Sequence, residues 1–203
     1  SNVKSNKNIN FNIAEINSNL YWPNGWTYTD KLYKYGSPLT TLAIESNQNE
    51  YDNIYTLKNF IANYLNNKFI NSNININIID TKKIFYLKNS NKIYQIESNP
   101  ILSLLTLTNS ESHNFTAESL FKNASKTWND NEYKDLKNWI KNKGLPVTNT
   151  LFEDASGLSR NNKITTKLVV LFLNKMKYSS DFDAYQSTLS IIGVRGTLGN
   201  RFV

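Results

Sequence analysis

Hydrophobic residues recur at helical spacing in five stretches of the chain. Each stretch places apolar side chains three or four positions apart, so that they fall on one face of a helix. The spacing predicts helices over residues 55–68, 101–107, 117–128, 133–140 and 164–176. The fourth of these is expected to stop at Gly144 and Pro146, because both residue types interrupt helices.

Strands are predicted where apolar and polar residues alternate, or where short apolar runs lie between turn-forming residues. Isoleucine alternates with asparagine over 74–78, which indicates a strand with one buried face. Further strands are predicted near residues 11–16, 39–44 and 150–152, and a hairpin over 84–96.

These elements divide the chain into three parts. Residues 1–38 are expected to form an N-terminal arm and an aromatic loop, residues 39–97 a small α+β subdomain, and residues 98–203 a helical part. At 203 residues the chain is long enough to bury one substantial core.

Composition excludes several kinds of site. The chain has no cysteine, which rules out disulfides, cysteine–zinc sites and thiol catalysis. It has one histidine, which argues against a histidine-based metal cluster. No apolar run approaches the roughly 18 residues of a membrane span, and no signal peptide is visible at Ser1.

The formal net charge of +7 could indicate an anionic partner such as nucleic acid. However, the lysines are spread along the chain, and neither a basic helix nor an aromatic platform for RNA is visible. We therefore interpret most of the charge as solvated surface and expect no nucleic-acid partner. A nucleic-acid binder would show duplex binding that weakens steeply with salt.

The stretch from Asp154 to Thr165 combines small polar residues with a glycine, which predicts a sharp turn. Gly157 can adopt positive φ without steric cost, and side chains such as Asp154 can bond nearby amides. Thr165 is expected to be the N-cap of the following helix, and the turn would hold Arg160 outward as a fixed cation. The alternative is an ordinary strand-to-helix connection.

Two further segments carry polar side chains in ordered surroundings. Ser112 and Asn114 lie in a tight connection between two predicted helices, where the alternative role for Ser112 is a helix cap. Tryptophan, glycine and proline are mixed over residues 21–38, which indicates an ordered loop that either stacks on another group or covers the edge of the core.

The sequence Asp-x-Ser-Gly-Leu-Ser-Arg-x-Asn at 154–162 resembles one family of penicillin-binding proteins, the D-alanyl-D-alanine carboxypeptidase/endopeptidases of class C. The family usually has glycine where Ala155 stands. Ser112-His113-Asn114, with Ala117-Glu118 and Leu120 after it, resembles the family's Ser-Asp-Asn element, with His113 in place of the aspartate. Tyr35-Gly36-Ser37-Pro38 resembles a Tyr-Gly-Ala-Pro motif, and 193–198 resembles Gly-Val-Asp-Gly-Thr-Leu, with arginine for aspartate.

The resemblance implies an α+β fold: the helical core of a penicillin-binding protein or serine β-lactamase-like domain, incomplete, with a small α+β insert. It also implies a serine DD-carboxypeptidase that acts through an acyl-enzyme on D-Ala-D-Ala stem peptides of peptidoglycan. Such an enzyme is blocked by β-lactams and works in the periplasm or outside the cytoplasm. The resemblance implies no metal and no organic cofactor. Ser112 would relay protons and Asn114 would orient the substrate amide. Asp30 would pair with a substrate ammonium and Tyr35 would wall its pocket, while Arg160 is a candidate for a bidentate contact with a substrate carboxylate.

Two parts of that chemistry are not evident in the sequence. Ser-x-x-Lys occurs at Ser1–Lys4 and Ser119–Lys122, neither in the expected context, and Lys-Thr-Gly does not occur. We therefore expect the chain to be part of a longer enzyme, with a degenerate, non-catalytic peptidoglycan-binding relative as the alternative. Either version predicts that the loop bearing Ser112 and Asn114 lies on the same cleft as the Arg160 turn.

Overall fold

The computed structural model describes residues 7–13, 18–41, 43, 45–48, 62–69, 74–80, 97–125 and 132–201. Its helices are α1 (Tyr28–Lys31), α2 (residues 62–68), α3 (Ile101–Glu111), α4 (Asn114–Ser125), α5 (Glu132–Asn142), α6 (Thr166–Lys177) and α7 (Phe182–Ser187). The predicted helices of the C-terminal half are confirmed by α3 to α6, whereas α7 was not predicted. Most of the predicted helix over 55–68 and the hairpin over 84–96 fall outside the described residues.

Two strands pair in parallel. β1 (Lys7–Ile13) and β2 (Ile74–Asp80) run in register from Lys7 opposite Ile74 to Ile13 opposite Asp80. The alternating isoleucines therefore do form a strand, and the N-terminal strand begins earlier than the predicted 11–16. The pairing joins the predicted arm to the predicted subdomain.

The predicted strand over residues 39–44 is wrong. Its described residues form no strand, and Glu45–Asn47 follow as a turn whose three residues all have positive φ. Side chains hold the chain folded back here: the Asn47 amide donates to Pro38 O (2.8 Å) and Thr40 Oγ1 (2.7 Å). These local bonds satisfy polar groups that a strand would have to pair elsewhere.

The ends of the helices follow the expected rules. Gly144 follows α5 with φ of 75°, a left-handed conformation that glycine adopts without strain. The hydroxyl of Thr165 accepts a hydrogen bond from Leu168 N at 3.2 Å, which confirms the predicted N-cap of α6. The predicted strand over 150–152 is reduced to one antiparallel bridge, between Leu151 and Lys163.

A hydrophobic cluster connects α5 to α6. It contains the buried side chains of Ile140, Leu145 and Leu168, with Leu136, Val147, Phe152 and Phe172 packed around them. Within the described parts of the chain, no helix is long and apolar enough to cross a membrane.

The segment after α7 packs on the C-terminal end of α3. Ser190 Oγ donates to Ser110 O at 2.9 Å, and the Asn109 amide donates to Thr188 Oγ1 at 2.8 Å. Gly196 lies so close that a Cβ on it would stand 2.5 Å from Ser110 O, and its φ is 72°. These contacts fix the end of α3, two residues before Ser112.

Candidate active site

Ser112 occupies the sharp junction between α3 and α4. Its φ and ψ are 58° and 43°, the left-handed conformation, and its amide donates to Leu107 O. A non-glycine residue adopts this conformation only where its surroundings impose it. Ser112 is thus the C-cap of α3, so the capping alternative holds for its backbone. Its hydroxyl is exposed and has no hydrogen-bond partner among the described residues.

Asn114 begins α4 and connects the junction to the aromatic loop. Its side-chain amide donates to the Tyr35 carbonyl oxygen at 3.1 Å. The Tyr35 ring is 45% exposed and stacks on Tyr33, with 5.3 Å between centroids and 10° between planes. The structure therefore brings two predicted site residues, Asn114 and Tyr35, into direct contact.

The sharp turn predicted after Asp154 is confirmed, and Asp154 is the residue that organises it. This carboxylate is 3% exposed and accepts hydrogen bonds from the amides of Gly157 (2.9 Å) and Ser159 (2.6 Å). It also accepts bonds from the side chains of Trp26 (2.9 Å), Asn162 (2.6 Å) and Ser156 (3.3 Å). Five donors satisfy a buried charge that would otherwise be costly.

Asp30 and Arg160 form an ion pair with each other. The Arg160 Nη1 atom lies 3.2 Å from Asp30 Oδ2, with the Asp30 side chain 2% exposed and that of Arg160 72% exposed. Asp30 also belongs to a capping box with Thr27, whose amide and hydroxyl donate to Oδ2 at 3.0 and 2.6 Å. The Thr27 hydroxyl, helped by the Thr27 amide and by Arg160, lowers the pKa of Asp30.

Glu118 fastens α4 to the Asp154 turn. Its Oε1 atom accepts hydrogen bonds from the amides of Ala155 and Ser156, both at 2.8 Å, and Tyr133 donates to Oε2 at 3.0 Å. The side chain is fully buried, and burial raises the pKa of its carboxyl, with a further contribution from the Asp154 charge. In the sequence Glu118 stands out only as part of the Ala117-Glu118 motif, and the local pattern does not indicate that its side chain is buried.

The Glu118 contact decides where the loop and the turn lie. Residues four apart on a helix share a face, so Glu118 lies on the same face of α4 as Asn114. The turn that carries Arg160 is bonded to that face through Glu118. The structure thus fastens α4, the helix that Asn114 begins, to the turn that carries Arg160.

The aromatic loop (residues 21–38) contacts both α4 and the Asp154 turn. Trp22 Nε1 donates to Gly36 O at 2.9 Å, and Trp26 Nε1 reaches Asp154. Gly25 approaches the turn so closely that a Cβ on it would overlap the Ser159 side chain. The aromatic loop thus contacts Asn114, Asp154 and Arg160.

The Ser119–Lys122 pair lies on α4 in a different orientation. Lys122 is 2% exposed, so its side chain is packed in the interior. Ser119 is five residues after Asn114, which turns it roughly 140° away around the helix. The other Ser-x-x-Lys, Ser1–Lys4, falls outside the described residues. In the parts of the chain that are described, no three histidine or acidic side chains converge to hold a metal ion.

The sequence model of the D-Ala-D-Ala carboxypeptidase 3 (S13) family matches residues 52–203, about three quarters of the chain. The chain belongs to this family. The expected family and fold are therefore confirmed. No curated protein matches the chain significantly.

Two solved structures show the same fold. A crystal structure of penicillin-binding protein 4 (dacB) from Haemophilus influenzae is 22% identical, with a TM-score of 0.52 over 71% of this chain and 33% of that one. The same Haemophilus influenzae protein complexed with a novel β-lactam is 21% identical, with a TM-score of 0.55 over 81% of this chain and 37% of that one. The chain spans about a third of the length of these structures.

Proposed function

We propose that this chain carries part of the active site of a serine DD-carboxypeptidase or endopeptidase that cleaves D-Ala-D-Ala stem peptides of peptidoglycan. Membership of the S13 family supports the reaction class. Since peptidoglycan lies outside the cytoplasm, the proposed enzyme works in the periplasm or another extracytoplasmic compartment, and β-lactams are its expected covalent inhibitors.

The single observation that carries the proposal is the Glu118 contact, which fastens α4, the helix after the Ser112 loop, to the turn that carries Arg160. In the proposed reaction the free Ser112 hydroxyl relays a proton to the leaving group. Asn114 contacts the substrate amide with the part of its side chain that does not bond Tyr35. The nucleophile of the acyl transfer is not assigned to a residue of this chain.

The pairing of Asp30 with Arg160 suggests how a charged substrate would be received. A substrate ammonium can reach Asp30 only by displacing the Arg160 guanidinium, which is mostly exposed and therefore weakly held. The displaced Arg160 is then free to make a bidentate contact with a substrate carboxylate. Tyr35 lies next to Asn114 and supplies an aromatic wall.

The charge exchange has a direct test. Asp30→Asn should remove the preference of the complete enzyme for a peptide with a free side-chain amine over its acetylated form, because the ammonium loses its partner. The capping bond to Thr27 can persist, since an asparagine oxygen also accepts it. An unchanged preference would show that Asp30 serves only the capping box and the ion pair.

The reaction itself is tested by labelling the complete protein with a fluorescent penicillin. We expect covalent labelling that slows strongly in Ser112→Ala and remains unchanged in Ser103→Ala, a matched loss of an exposed hydroxyl on α3. Equal labelling of the two variants would remove Ser112 from the mechanism.

The second candidate function is a non-catalytic peptidoglycan-binding protein on the same fold. This candidate stays open because Ser119 is turned roughly 140° away from Asn114 on α4, so this Ser-x-x-Lys does not share a helix face with Asn114. This candidate predicts no penicillin adduct on the complete protein, together with retention on insoluble peptidoglycan.

A further inference from the structure

His113, the single histidine of the chain, lies between Ser112 and Asn114, directly before α4. The Thr116 amide donates to Nδ1 at 3.3 Å, and the Thr116 hydroxyl lies 2.7 Å from the same nitrogen. On the other side of the ring, Nε2 lies 2.7 Å from the side-chain amide of Gln48. The imidazole therefore connects the start of α4 to Gln48, which directly follows the Glu45–Asn47 turn.

These contacts require a neutral ring. The Thr116 amide can donate only to a nitrogen that has a free lone pair, so Nδ1 carries no proton and Nε2 carries it. The Gln48 side-chain amide lies against Nε2 with its nitrogen 2.7 Å away, and it accepts from Nε2–H only when the amide group is turned so that its oxygen faces the ring. Protonation of Nδ1 would break the cap and place a cation at the positive end of the helix dipole.

The surroundings of the ring reinforce the neutral form. Burial lowers the pKa of His113. The titratable residues on the segments that carry its contacts are Glu45 in the turn before Gln48, Glu111 at the end of α3, and Glu118 and Lys122 on α4. Lys34 and Tyr35 lie on the short turn that packs against α4. Desolvation is the cause of the shift, with no contribution from these charges.

We infer that His113 is a positioning residue: its neutral imidazole caps α4 and so holds Ser112 and Asn114 in place for the reaction. This role rests on the proposed function, whereas the capping itself does not. An aspartate at position 113 would cap the helix down to much lower pH, because a carboxylate stays an acceptor until it is protonated. Histidine makes the same cap depend on pH near neutrality.

The first test uses the chain itself and needs no activity. The Cε1 proton of the one histidine gives a single NMR signal, and we expect it to titrate below the ordinary value of about 6.5. The amide signals of Ser112, Asn114 and Thr116 should shift with the same midpoint. A midpoint at or above the ordinary value, or junction amides that do not follow it, would overturn the inference.

The pH dependence of the free energy of unfolding tests the His113 cap independently. The unfolded histidine takes up its proton at a higher pH than the folded one, so stability is full above about pH 6.5 and falls as the pH drops towards the folded pKa. The difference between wild type and His113→Asp isolates this effect, because Glu118 titrates in both proteins. If the two proteins share one pH dependence, the cap does not depend on the imidazole.

The second test measures penicillin labelling of the complete protein against pH. The wild-type rate should fall with the neutral fraction of His113, about tenfold at one unit below its pKa, whereas His113→Asp should lack this step. The same acid loss in both proteins would overturn the positioning role and leave the proposed function intact. If no variant is labelled at any pH, the proposed function fails, and the positioning role for that reaction fails with it, while the NMR titration still reports the cap.

Discussion

Removing the Glu118 carboxylate should loosen the whole candidate site. Glu118→Ala leaves the amides of Ala155 and Ser156 and the hydroxyl of Tyr133 without their acceptor. Hydrogen bonds to charged groups contribute about 1.5–3 kcal/mol each. Part of this is offset because burial of the carboxylate costs free energy, as its raised pKa indicates. We expect a net loss of about 3 kcal/mol in the free energy of unfolding.

The measurement is urea denaturation at neutral pH, followed by tryptophan fluorescence, for four proteins. Glu118→Gln keeps an oxygen acceptor for the two amides and removes the buried charge, so its stability should stay within about 1 kcal/mol of wild type. Asp135→Ala removes one acidic charge from an exposed position on α5 and should change stability by less than about 0.5 kcal/mol. Wild type is the reference.

The pattern among these variants tests the reasoning. If Glu118→Ala is as stable as Asp135→Ala, the carboxylate does not hold the turn. If Glu118→Gln loses as much as Glu118→Ala, the charge rather than the acceptor geometry is what matters. The folded carboxyl also binds its proton at a higher pH than the unfolded one, so wild type should gain stability as the pH falls through the raised pKa towards about 4.5, and Glu118→Gln should not.

Two further predictions concern backbone geometry. Gly196→Ala should destabilise the fold by about 3 kcal/mol, because the new Cβ meets Ser110 O at 2.5 Å. Gly144→Ala has a similar φ and open space around the new Cβ, so it should lose only about 1 kcal/mol. Thermal unfolding of both variants measures the difference. Thr165→Ala should lower the free energy of unfolding by about 1 kcal/mol through loss of the cap on Leu168 N, and Thr165→Ser should restore it in the same urea titration.

Most of the helical part could be predicted from the sequence because its periodicity reflects real burial. Ile140 and Leu168 lie in one hydrophobic cluster, so α5 and α6 carry the spacing that a buried face requires. By contrast, α7 is only six residues long, too short to show a period. The strand over 39–44 was wrong because hydrogen bonds from Asn47 decide that segment, and hydrophobicity does not report them.

The sequence indicates which residues belong to the candidate site, but not which of them contact each other. The turn after Asp154 was visible because its side chain bonds amides only three and five residues away. The Asp30–Arg160 pair joins positions 130 residues apart, and no local pattern indicates such a partner. The resemblance assigns the two residues to separate substrate charges, whereas in the structure they form an ion pair with each other.

The Glu118 contact has a consequence for the motions of the protein. The amides of Ala155 and Ser156 bond a side chain that belongs to another element, so they can exchange hydrogen with solvent only when α4 and the turn separate. Their protection factors therefore report the separation directly, at two adjacent backbone positions. A ligand that spans the loop and the turn would slow both exchange rates together, which makes this pair of amides a built-in sensor of occupancy.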